Sequence, residues 1–365
     1  MLRSMAGFVT SLFQNVISLV KKNQANEEYF VYVTNQGGNN ISQYRISAHG
    51  SLIPLETATV AAGTTPVFIA AHPLVNVVYV ANQGSNSISQ YQISESGNLV
   101  SLSPPVDAGT APVAIAIDPL GRYAYAVNNS SNDISQYLVA VNGTLKPLSP
   151  ATIATGTVPV AIAVDPSGTH VYVVNASSNN IFQFVISESG SLVSISPATI
   201  EAGASPRAIA IHPAGKYAYV VNRTGGNVSQ FAISLSGELS PLLTPVSAGK
   251  HPISISIAAG GKYAYVANQN SNSISQFMLA GNGQLVPMMP ATVTSLVTPV
   301  YIFATPPGKN VYVTNISSND VSQFAIGNQG ELVAVLKNSW GDTNIPAGVS
   351  PRCVISVSMK KLQSK

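Results

Sequence analysis

Charged residues make up only 8% of this 365-residue chain, against about 25% in an ordinary soluble domain. The 17 Lys and Arg barely outnumber the 14 Asp and Glu. With no basic run and no aromatic–arginine interleaving, the net charge of +3 does not describe a nucleic-acid surface. A single cysteine, Cys353, excludes an intrachain disulfide. The five histidines fall singly, with no His-x-His or His/Cys cluster, so neither a metal site nor a cofactor motif is expected. No unbroken apolar run reaches the roughly 18 residues of a membrane-spanning helix.

The first 28 residues differ from the rest. Met5, Phe8, Val9, Leu12, Phe13, Val16, Ile17 and Val20 recur at helical spacing, and Lys21 and Lys22 follow at the negative end of the helix dipole. This predicts an amphipathic helix and linker over residues 1–28. Three roles are open to its apolar stripe at residues 5–20: docking on the chain's own body, contact with a membrane surface or a partner, or a degenerate export signal. A basic tail is expected at 359–365.

What the chain has in abundance is repetition. VYVTN, VYVAN, AYAVN, VYVVN, AYVVN, AYVAN and VYVTN end on Asn35, Asn82, Asn128, Asn175, Asn222, Asn268 and Asn315, at spacings of 47, 46, 47, 47, 46 and 47. Each period holds four apolar runs of strand length. Gly-x-x-Pro opens the first run, a Pro-x-Gly turn precedes the Tyr-rich run, a polar loop leads into the Ser-Gln-Tyr/Phe run, and Ser-Gly-x-Leu opens the last. Small and large apolar residues alternate within runs such as AIAI and YAYV, as in sheets covered on both faces. The expected fold is all-β: a seven-bladed β-propeller over 29–358 with four antiparallel strands per blade. An open solenoid of strands is the runner-up.

The first repeat lacks its first strand, and a matching segment, Ala347–Val357, stands at the other end of the chain. It is expected to complete the first blade and close the ring, removing two sheet edges.

The VYVTN motifs resemble those of the YVTN-repeat propellers, a family that includes archaeal and bacterial surface-layer proteins. Its superfamily also includes the propeller-type 6-phosphogluconolactonases, to which Gly203–Arg223 bears the nearest local likeness. In that lactonase pattern Arg-His follows the proline and Asn-Glu ends the strand. Arg207 matches the arginine, whereas Ala208 and Arg223 stand at the histidine and glutamate positions.

In a repeat protein, residues common to all copies serve the fold, and departures mark a site. The strand-ending asparagines and the glutamines of the Ser-Gln-Tyr/Phe runs are expected to be structural hydrogen bonders. The departures fall in the Gly-x-x-Pro connections, which should surround one mouth of the central channel. After the proline stand Val67, Val113, Val160, Arg207, Ile253, Val300 and Arg352. Lys250 and His251 replace small residues before Pro252, and Glu201 stands two residues before Gly203. Glu201, Arg207, Lys250 and His251, with Arg352 across the mouth, are expected to form either a solvated ion cluster or an anion site. About five residues are inserted near 337–344, where Trp340 offers a contact or a seam cover.

Two functions follow. The near-identity of the blades favours a monomeric, non-enzymatic scaffold that presents a polar face to a protein, a glycan or a surface, or holds a small anion at the mouth. The alternative is a hydrolase of a sugar lactone, with Glu201 or His251 as base and Arg207 as oxyanion stabiliser.

Overall fold

The computed structural model of the chain describes residues 27–360, apart from 259, 296, 307 and 336–343. The expected helix at residues 5–20 and Trp340 lie outside the described residues. Within them the chain forms seven antiparallel sheets, one per repeat.

In each blade the run opened by proline is the innermost strand. Pro66–Ala71, Pro112–Ile117, Pro159–Val164, Pro206–Ile211, Pro252–Ile257 and Pro299–Ala304 fill this place in blades two to seven. In blade one it is filled by the C-terminal strand Pro351–Lys360, which pairs with Glu27–Asn35. Val33 lies opposite Val354 and Asn35 opposite Pro351. The ring is therefore closed by the tail of the chain, and pairing runs two residues beyond the expected ends, to Glu27 opposite Lys360.

The Tyr-rich strands are buried along nearly their whole length because each blade is packed between two others. Tyr32, Tyr79, Tyr125, Tyr172, Tyr219, Tyr265 and Tyr312 are all fully buried. Each hydroxyl donates to the carbonyl of the Ser-Gly-x-Leu turn glycine in the next blade, as Tyr172 does to Gly237 at 2.7 Å. Only glycine fits these turns. At Gly97, φ is 82°, and a Cβ would lie 2.1 Å from the Phe30 ring of the preceding blade.

Blade seven carries the insertion on its rim. Its outermost strand is split into Leu332–Ala334 and Asn344–Pro346, both paired with Asp320–Ile326. The insertion falls between these two segments, outside the described residues.

Candidate functional site

The mouth of the channel is built by one device used seven times. The residue before each proline has positive φ, between 53° and 62°: Thr65, Ala111, Val158, Ser205, His251, Thr298 and Ser350. That backbone is unfavourable for β-branched residues such as Thr65 and Val158. Its carbonyl accepts from the N–H of the residue that follows a strand-ending asparagine, as Ser205 accepts from Arg223 at 2.9 Å. In six connections its N–H is also clamped by an asparagine of the preceding blade: Asn39, Asn86, Asn132, Asn179, Asn272 and Asn319. These asparagines, not the strand-ending ones, are the left-handed asparagines of the repeat. The strand-ending Asn222 instead donates to Asn227 and Ser229 within its own blade.

This scaffold aims two rings of side chains at the mouth. One ring is the residue after each proline. The other is the residue after each strand-ending asparagine: Gln36, Gln83, Asn129, Ala176, Arg223, Gln269 and Ile316. The first ring, Gln83, Asn129 and Gln269 of the second, and the innermost strands enclose a cavity of about 420 Å³ reached by residues of all the blades. Val67, Val113 and Val160 form an aliphatic side. Phe68 and Tyr301 meet edge to face at 5.8 Å in its lining. Among the described residues Arg207 and Arg352 are its charged ones, and no carboxylate lines it.

Arg207 is half-buried and its Nε has no hydrogen-bond partner. Burial, and then the neighbouring Arg223 charge, lower its pKa. Arg223 likewise keeps a buried Nε without a partner, and its Nη2 is 3.5 Å from Gln269 Oε1. Arg352 donates from Nε to Gln36, and burial lowers its pKa too. Donors held out of water without acceptors favour an anion or a developing oxyanion.

The expected set is thus divided. Arg207 and Arg352 share the channel cavity. Lys250 and His251 lie outside it, lining an open groove of about 800 Å³ together with Arg223. Glu201 lines neither. It ends the outermost strand of blade four, opposite Asn180. Three strand spacings, roughly 14 Å, separate that edge from the innermost strand. Arg223 enters the site from the ring after the strand-ending asparagines. Reading that column across the repeats shows a lone cation among amides and apolar residues, a signal as plain as the one that marks Arg207. Among the described residues no three His, Cys, Asp or Glu side chains gather as a metal site.

The sequence model of the family described as "Lactonase, 7-bladed beta-propeller" matches residues 23–113, 100–196 and 188–293. No curated protein matches the chain. Among solved structures, a proposed 6-phosphogluconolactonase from Bacteroides fragilis superposes with a TM-score of 0.79 at 21% identity, covering 91% of this chain and 98% of that one. A second, from Bacteroides uniformis, gives 0.77 at 22%, covering 91% and 100%. The periplasmic gluconolactonase of Pseudomonas aeruginosa gives 0.77 at 20%, covering 90% and 99%. At these identities the structures establish the fold. The family match corrects the expectation of a non-enzymatic scaffold and supports its lactonase alternative. The near-identity of the blades, which suggested a scaffold, follows from the packing demands of the ring and says nothing against catalysis at its mouth.

Proposed function

Because the chain belongs to the seven-bladed β-propeller lactonase family, we propose that it is a lactone hydrolase whose reaction takes place in the channel cavity. The observation that carries this reading is the unpartnered, half-buried Arg207 guanidinium. Water attacks the lactone carbonyl and the carbonyl oxygen gains negative charge. Arg207 donates to that oxygen, and a pre-oriented donor in a poorly solvated site contributes most where charge develops. The C–O bond of the ring then breaks, and the ring oxygen takes up a proton as a hydroxyl. Arg352 faces the same cavity and holds the carboxylate product.

With no carboxylate in the lining among the described residues, solvent water entering at the mouth accepts the proton of the attacking water. Glu201 and His251 do not line this cavity and are not given that step. Arg223 occupies the position at which the lactonase pattern has glutamate, and it adds positive field where that pattern has a carboxylate.

The test is hydrolysis of glucono-δ-lactone followed by acid release at constant pH. The wild type should accelerate it above the solvent rate. Arg207→Val, which installs the residue of blades two, three and four, should lose most of the acceleration. A wild-type rate equal to the solvent rate for gluconolactone and for γ-lactones sinks the reading.

A further inference from the structure

The groove outside the channel exists because one repeat breaks the rule that the other six obey. At the position of the clamping asparagines, blade five has Gly226. Its φ of 64° matches theirs, so only the side chain is missing. A Cβ there would meet nothing closer than Gly249 O at 3.7 Å. The His251 N–H therefore lacks the clamp, and the space an asparagine fills elsewhere joins an open groove between blades five and six.

The residues around that missing side chain also depart from the repeat, all in one direction. Lys250 stands where the other connections have Thr64, Thr110, Thr157, Ala204, Val297 and Val349. His251 stands where they have Thr, Ala, Val or Ser, and Arg223 where they have amides or apolar residues. The seven blades are an internal control: the fold is satisfied without these side chains. Two of them also carry buried nitrogens with no partner, Arg223 Nε and His251 Nδ1. Among the described residues no acidic side chain lines the groove; its remaining polar walls include Asn270, Ser271 and Thr292. The groove is continuous in chemistry with the channel, because Arg223 lines it while reaching Gln269 on the channel side.

We propose that this groove is a second anion subsite, in which Arg223, Lys250 and His251 hold a phosphomonoester or carboxylate. The group it holds is the remote end of an extended hydroxylated lactone whose carbonyl lies at Arg207. This assignment of the remote end rests on the lactonase reading; the anion site itself does not. Asn270 and the neighbouring hydroxyls bond the polyol chain between the two ends.

The experiment restores the consensus of the repeat. Gly226→Asn returns the clamp, and Lys250→Thr with His251→Thr copies Thr64 and Thr65 of blade two. Both changes install sequences that this chain already folds elsewhere. Inorganic phosphate binding is measured by calorimetry at low salt on the wild type, on each variant and on Arg207→Val. The wild type should bind. The double threonine variant should bind roughly tenfold or more weakly, since each lost charge-assisted bond is worth about that factor. Gly226→Asn should also weaken binding while leaving thermal stability equal or higher. Arg207→Val should retain binding. Phosphate affinity that survives in both groove variants, or that is lost only in Arg207→Val, overturns the subsite. With lactonase activity present, the groove variants should raise KM for a phosphorylated lactone and leave KM for its unphosphorylated counterpart in place. Equal effects on both lactones overturn the remote-end assignment. A protein that binds phosphate in the groove yet hydrolyses no lactone refutes the reaction and keeps the anion site.

Discussion

The backbone N–H of Leu52 in blade one donates a 2.6 Å hydrogen bond to Gln323 Oε1 in blade seven, across 271 positions of sequence. The same bond joins every other pair of neighbours: Leu99 to Gln43, Leu145 to Gln90, Leu192 to Gln136, Leu239 to Gln183, Leu285 to Gln230 and Leu332 to Gln276. The glutamine of the Ser-Gln-Tyr/Phe run is thus an inter-blade stitch. Gln136 also donates to Pro150 O of its own blade.

Gln136→Ala removes both bonds and leaves the buried Leu192 N–H without a partner. The expected cost is about 1–3 kcal/mol, the desolvation penalty of an orphaned buried donor. Urea unfolding measures it, with the slope unchanged if the ring stays closed. A midpoint equal to the wild type would mean that water reaches the seam and replaces the stitch.

The second prediction concerns pH. Burial pushes Tyr44 up to about 12. It raises the tyrosines of the Tyr-rich strands as well, Tyr172 and Tyr312 among them. In the unfolded chain these phenols titrate near 10. The folded protein therefore binds their protons more tightly. The resulting stability is fully present below about pH 10 and is lost as pH rises from there through the folded values. Urea midpoints should be flat from neutral pH to about 10 and fall steeply above it. Tyr172→Phe should lower the plateau by the loss of the bond to Gly237 and make the alkaline fall shallower. A midpoint that keeps rising past pH 10 would contradict the burial of these hydroxyls.

The third prediction separates the two channel arginines. Arg207→Val should lower kcat/KM on a lactone by about 10²–10³, the usual effect of losing one oxyanion donor. Arg352→Val removes a contact to the ground state and the product as much as to the transition state, so it should raise KM and weaken product inhibition with a smaller change in kcat. Steady-state kinetics on both variants, with gluconate as inhibitor, distinguishes the roles. Equal losses of kcat would assign oxyanion stabilisation to the pair.

These roles show where the sequence was informative and where it was not. The period, the blade count and the strand exchange at Cys353 are legible because packing between like blades forces like residues at like positions. Arg207 and Arg352 stand out for the same reason, as cations in an aliphatic column. Glu201 was misplaced because nearness in sequence to Arg207 is not nearness in space. Four residues of connection carry the chain from the rim of one blade to the axis of the next. Lys250 and His251 were legible as departures, but the groove they line was legible only in a column that carries no chemistry of its own: Gly226 among asparagines is an absence, and its meaning depends on the backbone N–H that each asparagine clamps.

The last prediction tests closure through Cys353. This thiol is buried in the closing strand, with Sγ 3.7 Å from Ile69 O in blade two. Burial pushes its pKa up to about 12. At pH 8 the thiolate fraction of such a group is about 10⁻⁴, and it is the thiolate that alkylates. Iodoacetamide should therefore label the native protein only through opening of the seam, and label the urea-unfolded chain rapidly. The Cys353 N–H donates to Thr34 Oγ1 at 3.1 Å, at the point where the pairing of the two strands shifts register. Thr34→Val keeps the shape and removes that acceptor. It should speed labelling roughly tenfold or more, in line with a buried N–H left unsatisfied, while Gln136→Ala, far from the seam, should leave labelling near the wild-type rate. Equal acceleration by both would show that Cys353 reports global unfolding, and the closing strand would then be no weaker than any other part of the ring.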